Sequence, residues 1–142
     1  MLDSDINQDG IMNRTTKNAL VATICLLSTT ALQAENWSRS RGDNGTGISN
    51  LKGVPTSWSA GNYDWNIELP GIGHAAPIVW GNDLFVTSAE NKGAVRYFFC
   101  LDASTGKTKW VKKIAMSDSH KHNKSSWASS SPVTDGKLVY VA

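Results

Sequence analysis

The sequence is short of most features that would mark a catalytic or nucleic-acid-binding protein. It has no excess of charge: 14 basic and 12 acidic residues leave a net charge of +2. Binding nucleic acid by bulk electrostatics needs a clustered basic face, and here the basic residues are scattered. Lys107, Lys109, Lys112 and Lys113 lie in or beside one β-prone run and read as a solvated strand face. No apolar run is long enough for a comfortable membrane span. No serine sits in a nucleophile elbow. Gly42-Asp43-Asn44-Gly45-Thr46-Gly47 is glycine-rich, but it lacks the Lys-Ser/Thr pair and the following helix of a phosphate loop. Helical periodicity is missing outside the first 34 residues.

Those 34 residues lack aromatic side chains altogether; every Trp, Tyr and Phe comes later. What they contain is Arg14 and Lys17, then the apolar Ala19–Leu27 run, then small residues ending Ala31-Leu32-Gln33-Ala34. A basic start, a short apolar core and a small-residue exit predict a secretory signal peptide over 12–34. Cleavage is expected after Ala34, with Ala31 as the rival. Residues 1–11 do not suit the front of such a signal, and Met12 makes the better initiator; 1–11 is expected to be a mis-called upstream extension. That stretch holds Asp5-Ile6-Asn7-Gln8-Asp9-Gly10, the first half of a calcium loop. Its twelfth position is Thr16, where a bidentate carboxylate is needed, so no working site is expected. After cleavage only Cys100 remains, which excludes an internal disulfide and predicts a buried thiol. The product is expected to be periplasmic or extracellular, with no transmembrane span after signal removal.

Residues 35–64 form an irregular lead-in rich in Gly, Asn and Ser. From Trp65 the pattern changes to short β-prone runs, with turn signals every eight to twelve residues. The expected strands are Trp65–Leu69, Ala76–Trp80, Asp83–Ser88, Arg96–Asp102, Lys107–Ile114, Ser131–Thr134 and Lys137–Ala142. Asp135-Gly136 is expected to make a two-residue hairpin turn. The fold class is all-β.

An internal repeat refines this. Ala75-Ala76-Pro77-Ile78-Val79-Trp80-Gly81 aligns with Ser130-Ser131-Pro132-Val133-Thr134-Asp135-Gly136 at an offset of 55 residues, and Phe85-Val86 aligns with Tyr140-Val141. A repeat of that length holding about four strands suits a propeller blade with an insertion. Between the copies lies Leu101-Asp102-Ala103-Ser104-Thr105-Gly106-Lys107-Thr108-Lys109-Trp110. Asp102 is placed to cap turn amides, Gly106 to take positive φ, and Trp110 to pack between adjacent sheets.

The run Asp102, Thr105-Gly106-Lys107, Trp110 resembles the tryptophan-docking repeat of quinoprotein-like (PQQ-like) β-propellers. Trp37, Arg41-Gly42 and Asn44-Gly45-Thr46-Gly47 resemble the opening motif of a bacterial exported subfamily. Pro55, Trp58, Trp65, Leu69-Pro70-Gly71 and Gly73-His74 follow it. The sequence departs from that opening at Ser38 and Ser40, where the subfamily usually has Pro and an aromatic residue. The resemblance implies a partial propeller over 65–142, about one and a half to two four-stranded blades of an incomplete ring. Residues 35–142 alone would then expose apolar blade faces and bare edges, and are expected to fold poorly.

The resemblance implies two function classes. One is a non-catalytic binding or scaffold module whose partner is a protein or a cell-envelope polymer, not nucleic acid. The other is a quinoprotein oxidoreductase, which would hold PQQ and Ca²⁺ in the channel and use a catalytic Asp and often a vicinal disulfide. None of those elements is identifiable, so no catalytic residue, metal ligand or cofactor is assigned, and the binding class is preferred. Segment 122–131 also resembles a subfamily stretch, which makes His122, Ser129 and Ser130 candidate channel contacts. The alternative is that these groups satisfy turn amides. His74, His120 and His122 lack a nearby Asp, Glu or Cys to complete a metal set.

Overall fold

A computed structural model describes residues 35–142 apart from Asp118, all within one compact unit that runs from Ala34 to Ala142. The expected signal peptide, the alternative start at Met12, the calcium-like loop at Asp5–Gly10 and Cys25 lie outside the described residues.

The described chain is all-β. Strands β1 (Ile78–Trp80), β2 (Asp83–Glu90), β3 (Val95–Asp102) and β4 (Thr108–Ala115) form an antiparallel sheet in that order. Strands β5 (Val133–Thr134) and β6 (Val139–Tyr140) form a second, two-stranded sheet. The first sheet is a plain meander because each connection carries its own turn chemistry. Trp80 pairs with Asp83, so Gly81-Asn82 is a two-residue turn with positive φ at Gly81, the position where a hairpin of this kind wants Gly. Asn91, Lys92 and Gly93 turn the chain between β2 and β3, all with positive φ. The β3–β4 pairing slips between Cys100 and Leu101, a bulge beside the Asp102 turn.

β3 explains why a sheet forms here. Val95–Leu101 is nearly continuous in apolar and aromatic residues, the pattern of a strand covered on both sides. Successive side chains alternate between faces. Phe98 and Cys100 join Ile78 and Phe85 in one cluster, with Trp80 and Val139 packed against it. Phe99 and Leu101 are buried on the opposite face, where Tyr97 stacks on Phe99 with ring centroids 5.7 Å apart. One face therefore meets the β5–β6 hairpin. The stretch before β1 runs along the edge of β2: Ser88 donates to the Pro70 carbonyl, and Ile72 pairs with Ala89.

The two similar segments both begin pairing one residue after their proline, β1 after Pro77 and β5 after Pro132. The expected strands there start two residues too early, because proline has no N–H to give a ladder. Trp65–Leu69, expected as a strand, is not one; no bridge forms between Trp37, which pairs with Val79, and Ile72, and Trp65 is held through its indole instead. The hairpin expected at Asp135-Gly136 is also different. Its ladder closes at Thr134–Val139, leaving four residues between the strands. Asp135 Oδ1 accepts the Lys137 and Leu138 amides at 2.9 and 2.8 Å, which shifts the bend onto Gly136-Lys137.

Candidate functional site

The residues singled out around Asp102 come together in one turn. Asp102 Oδ1 accepts the amides of Ser104 (3.1 Å) and Thr105 (2.9 Å) and the Thr105 hydroxyl (2.9 Å). Its Oδ2 accepts the Asn82 side-chain amide at 2.7 Å and faces Lys109 Nζ at 3.6 Å. The Thr105 hydroxyl, foremost among these groups, holds the Asp102 carboxyl below the usual carboxylate range. Lys109 also pairs with Asp83 at 2.6 Å, and that contact raises its own pKa. Lys107 contributes its carbonyl, which accepts the Asp102 amide at 2.8 Å, while its side chain stays exposed. Trp110 meets Phe98 edge-on at 5.5 Å and Phe85 at 6.0 Å.

The sequence reading missed the ring that docks on this turn. Trp65 lies against Gly106: a Cβ there would come within 2.6 Å of the indole. Its Nε1 donates to the Ala103 carbonyl at 2.9 Å, across 38 residues of chain. Gly106 has φ of +71° and is buried, so the bare backbone serves as a flat platform for the ring. The same device recurs. Trp37 lies on Gly42, Trp80 on Gly136 and Trp127 on Gly93, so four of the six tryptophans cover a glycine of positive φ. The usable signal was the excess of Trp beside a set of glycines in turns.

The other end of the sheet carries an open groove of about 630 Å³, whose lining includes Ile72, His74, Glu90, Lys92, Lys121 and Trp127. Trp127 is fixed there by three contacts. Its ring rests on Gly93, its Nε1 donates to the Ser119 carbonyl at 2.8 Å, and Lys121 Nζ stands 4.8 Å from its centroid. The chain around Trp127 is zipped to the segment before β1. The His74 amide donates to the Ala128 carbonyl and the Ser126 hydroxyl, both at 3.0 Å. The Ala76 amide donates to Ser131 Oγ at 2.9 Å.

The candidate contacts His122, Ser129 and Ser130 do not converge on that groove. His122 Nδ1 accepts the Lys124 amide at 3.2 Å. Ser129 Oγ accepts the Ser126 amide at 3.0 Å and donates to the Ser126 carbonyl at 2.8 Å. Both side chains thus close their own turns. Ser130 lines a smaller cavity between the four-stranded sheet and residues of the segments 127–130 and 141–142. Cys100 is buried, and its burial pushes the thiol pKa up to about 11.

Among the described residues, no three His, Cys, Asp or Glu side chains gather where one metal ion could join them. The calcium that the resemblance implies therefore finds no cluster of three such side chains among the described residues. Among the described residues, too, no helix is long and apolar enough to cross a membrane. Fold and site together define an all-β protein built on a four-stranded antiparallel meander, with tryptophans docked on its turns. Comparison of the chain with family models, with curated proteins and with solved structures gives no match.

Proposed function

We propose that residues 35–142 belong to an exported β-propeller of the quinoprotein-like repeat type, acting as a non-catalytic binding or scaffold module for a protein or cell-envelope polymer. The observation that carries this reading is Trp65 docked on the Asp102–Gly106 turn. A ring from outside the four-stranded sheet is keyed to that sheet's outer turn by stacking and by one hydrogen bond. Radial arrays of sheets need such contacts between neighbours.

Three further features support it. The four-stranded meander has the strand count of one blade. Its central strands bury side chains on both faces, as a sheet between two neighbours would. The repeat-equivalent residues Ala76 and Ser131 lie side by side. The preference for binding over oxidoreduction rests on the site residues. Asp102 is engaged in its turn, and His122 and Ser129 are engaged in theirs.

Two measurements test the proposal. Class averages of the protein isolated from its own source, by electron microscopy, should show a closed ring with a central opening; a two-layer sandwich would overturn the propeller. Incubation with PQQ and Ca²⁺ followed by a dye-reduction assay should give no turnover. Turnover would replace the scaffold with a quinoprotein oxidoreductase.

A further inference from the structure

Strand β4 forms one border of the four-stranded sheet. Every residue of it, from Thr108 to Ala115, is exposed. The opposite border is different: Trp37 pairs with Val79 of β1, and Ile72 pairs with Ala89 of β2. Beyond β4 no such bridge exists among the described residues. The Met116 amide donates to the Ala94 carbonyl at 2.9 Å, which sets the phase of the β3–β4 ladder. Alternate residues of an antiparallel pair bond across it, so Lys112 and Ile114 bond to Phe98 and Arg96. Val111, Lys113 and Ala115 turn their N–H and C=O groups away from the sheet, and among the described residues these groups find no partner. From Ala103 to Ser117 the chain carries four lysines and no acidic residue. Lys109 is engaged by Asp83 and Asp102. Lys112 and Lys113 have no ion pair among the described residues, and Lys113 Nζ stands 5.6 Å from the Tyr97 ring centroid. Being consecutive, they project to opposite faces of the sheet.

An exposed edge of this length is a template for a further strand. We infer that β4 is a docking edge for an extended acidic segment of another protein, which adds to the sheet as a fifth strand. Its backbone pairs with Val111, Lys113 and Ala115, and two consecutive carboxylates lie opposite Lys112 and Lys113. Opposite charges directly across a strand pair are favourable, and like charges are not. That rule disfavours a second copy of this chain as the occupant. In an antiparallel pairing of two β4 strands centred on Lys112 or Lys113, that lysine meets itself; centred on Val111, Lys109 meets Lys113. Lysines on an edge bar indiscriminate pairing, and an acidic strand is the kind they admit. The edge does not depend on the propeller reading, because sheets in a radial array meet face to face and leave their edges free.

The test is fluorescence anisotropy of the intact protein with a labelled, capped peptide, Thr-Val-Thr-Glu-Glu-Thr-Val-Thr. The same peptide with lysines in place of the glutamates tests the charge. The glutamate peptide N-methylated along its central residues keeps the charge and loses the strand pairing. The glutamate peptide should saturate below about 1 mM and bind at least about tenfold more tightly than either control. Val111→Pro removes one outward N–H at an edge position that accepts proline, and should weaken the glutamate peptide about tenfold. Lys112→Glu combined with Lys113→Glu should weaken it about as much and admit the lysine peptide. Circular dichroism and a thermal melt establish that each variant folds; the peptide series on the unaltered protein stands without them. Absence of saturation below about 1 mM overturns the docking edge. So does equal binding of the N-methylated or the lysine peptide, or unchanged affinity in a folded Val111→Pro protein. A dimer of the unaltered protein that Val111→Pro dissolves, seen by sedimentation, would assign the edge to a second copy and overturn the acidic partner.

Discussion

Ala76 and Ser131 align in two similar segments 55 residues apart and are joined by a hydrogen bond, from the Ala76 amide to the Ser131 hydroxyl at 2.9 Å. The two segments are therefore neighbours as well as likenesses, and the second supplies a partner that the first lacks on its own backbone. Replacing Ser131 with Ala removes the acceptor and leaves a part-buried amide unsatisfied. Stability should fall by ~1–2 kcal/mol, read as a lower melting temperature. Ser130→Ala, one residue away, should change it by less than ~0.5 kcal/mol.

Gly106 and Gly53 allow the tryptophan contact to be separated from backbone strain. Their φ angles are +71° and +72°, but a Cβ at Gly106 meets the Trp65 ring at 2.6 Å, while a Cβ at Gly53 meets nothing within 4 Å. Gly53→Ala should cost only the left-handed penalty, ~1 kcal/mol. Gly106→Ala should cost that plus the displaced ring, ~3 kcal/mol in all. Chemical denaturation with tryptophan fluorescence measures both. Equal losses would remove the docking role assigned to Trp65.

The depressed carboxyls set the acid limb of stability. Asp102 is lowered chiefly by the Thr105 hydroxyl, Asp43 by Ser38 and Asp135 by the Leu138 amide. A group whose folded pKa lies below its unfolded value, about 3.9 for Asp, adds stability that is fully present above that value. The contribution disappears as the pH falls through the folded pKa. Melting temperature should therefore be flat from neutral pH to about 5 and decline below about 4. Asp102→Asn should melt lower at neutral pH and show a shallower acid decline.

Cys100 is 1% exposed, and burial pushes its thiol pKa up to about 11. Alkylation requires the thiolate. Iodoacetamide at pH 8 should leave the Cys100 peptide unmodified in the folded protein and label it fully in denaturant, as read by mass mapping.

Much of the fold is local, and for that reason legible in the sequence. β2, β3 and β4 are bounded by Gly81-Asn82, Asn91–Gly93 and Ser104–Gly106, turn signals that act within a few residues. The strand starts at Ala76 and Ser131 are misread because apolar character continues across Pro77 and Pro132 while hydrogen bonding does not. The Asp102 turn is legible because an aspartate caps amides two and three residues ahead. Trp65 is misread as strand because its partners, Ala103 and Gly106, lie some forty residues on; no window of propensity reaches that far. The expectation for His122 and Ser129 rests on a resemblance. Their hydrogen bonds are made within two or three residues, a scale at which His and Ser carry no distinguishing pattern.

The tryptophans that lie on glycines make those positions heritable only in pairs. The indole of Trp65 fills the volume that any side chain at residue 106 would need, and the same holds for Trp80 with residue 136 and Trp127 with residue 93. A lineage that loses the ring leaves a hollow over the turn, and one that gains a side chain must first shed the ring. Each single step is unfavourable, so such pairs should drift far more slowly than the loops between them, and should outlast most of the sequence around them.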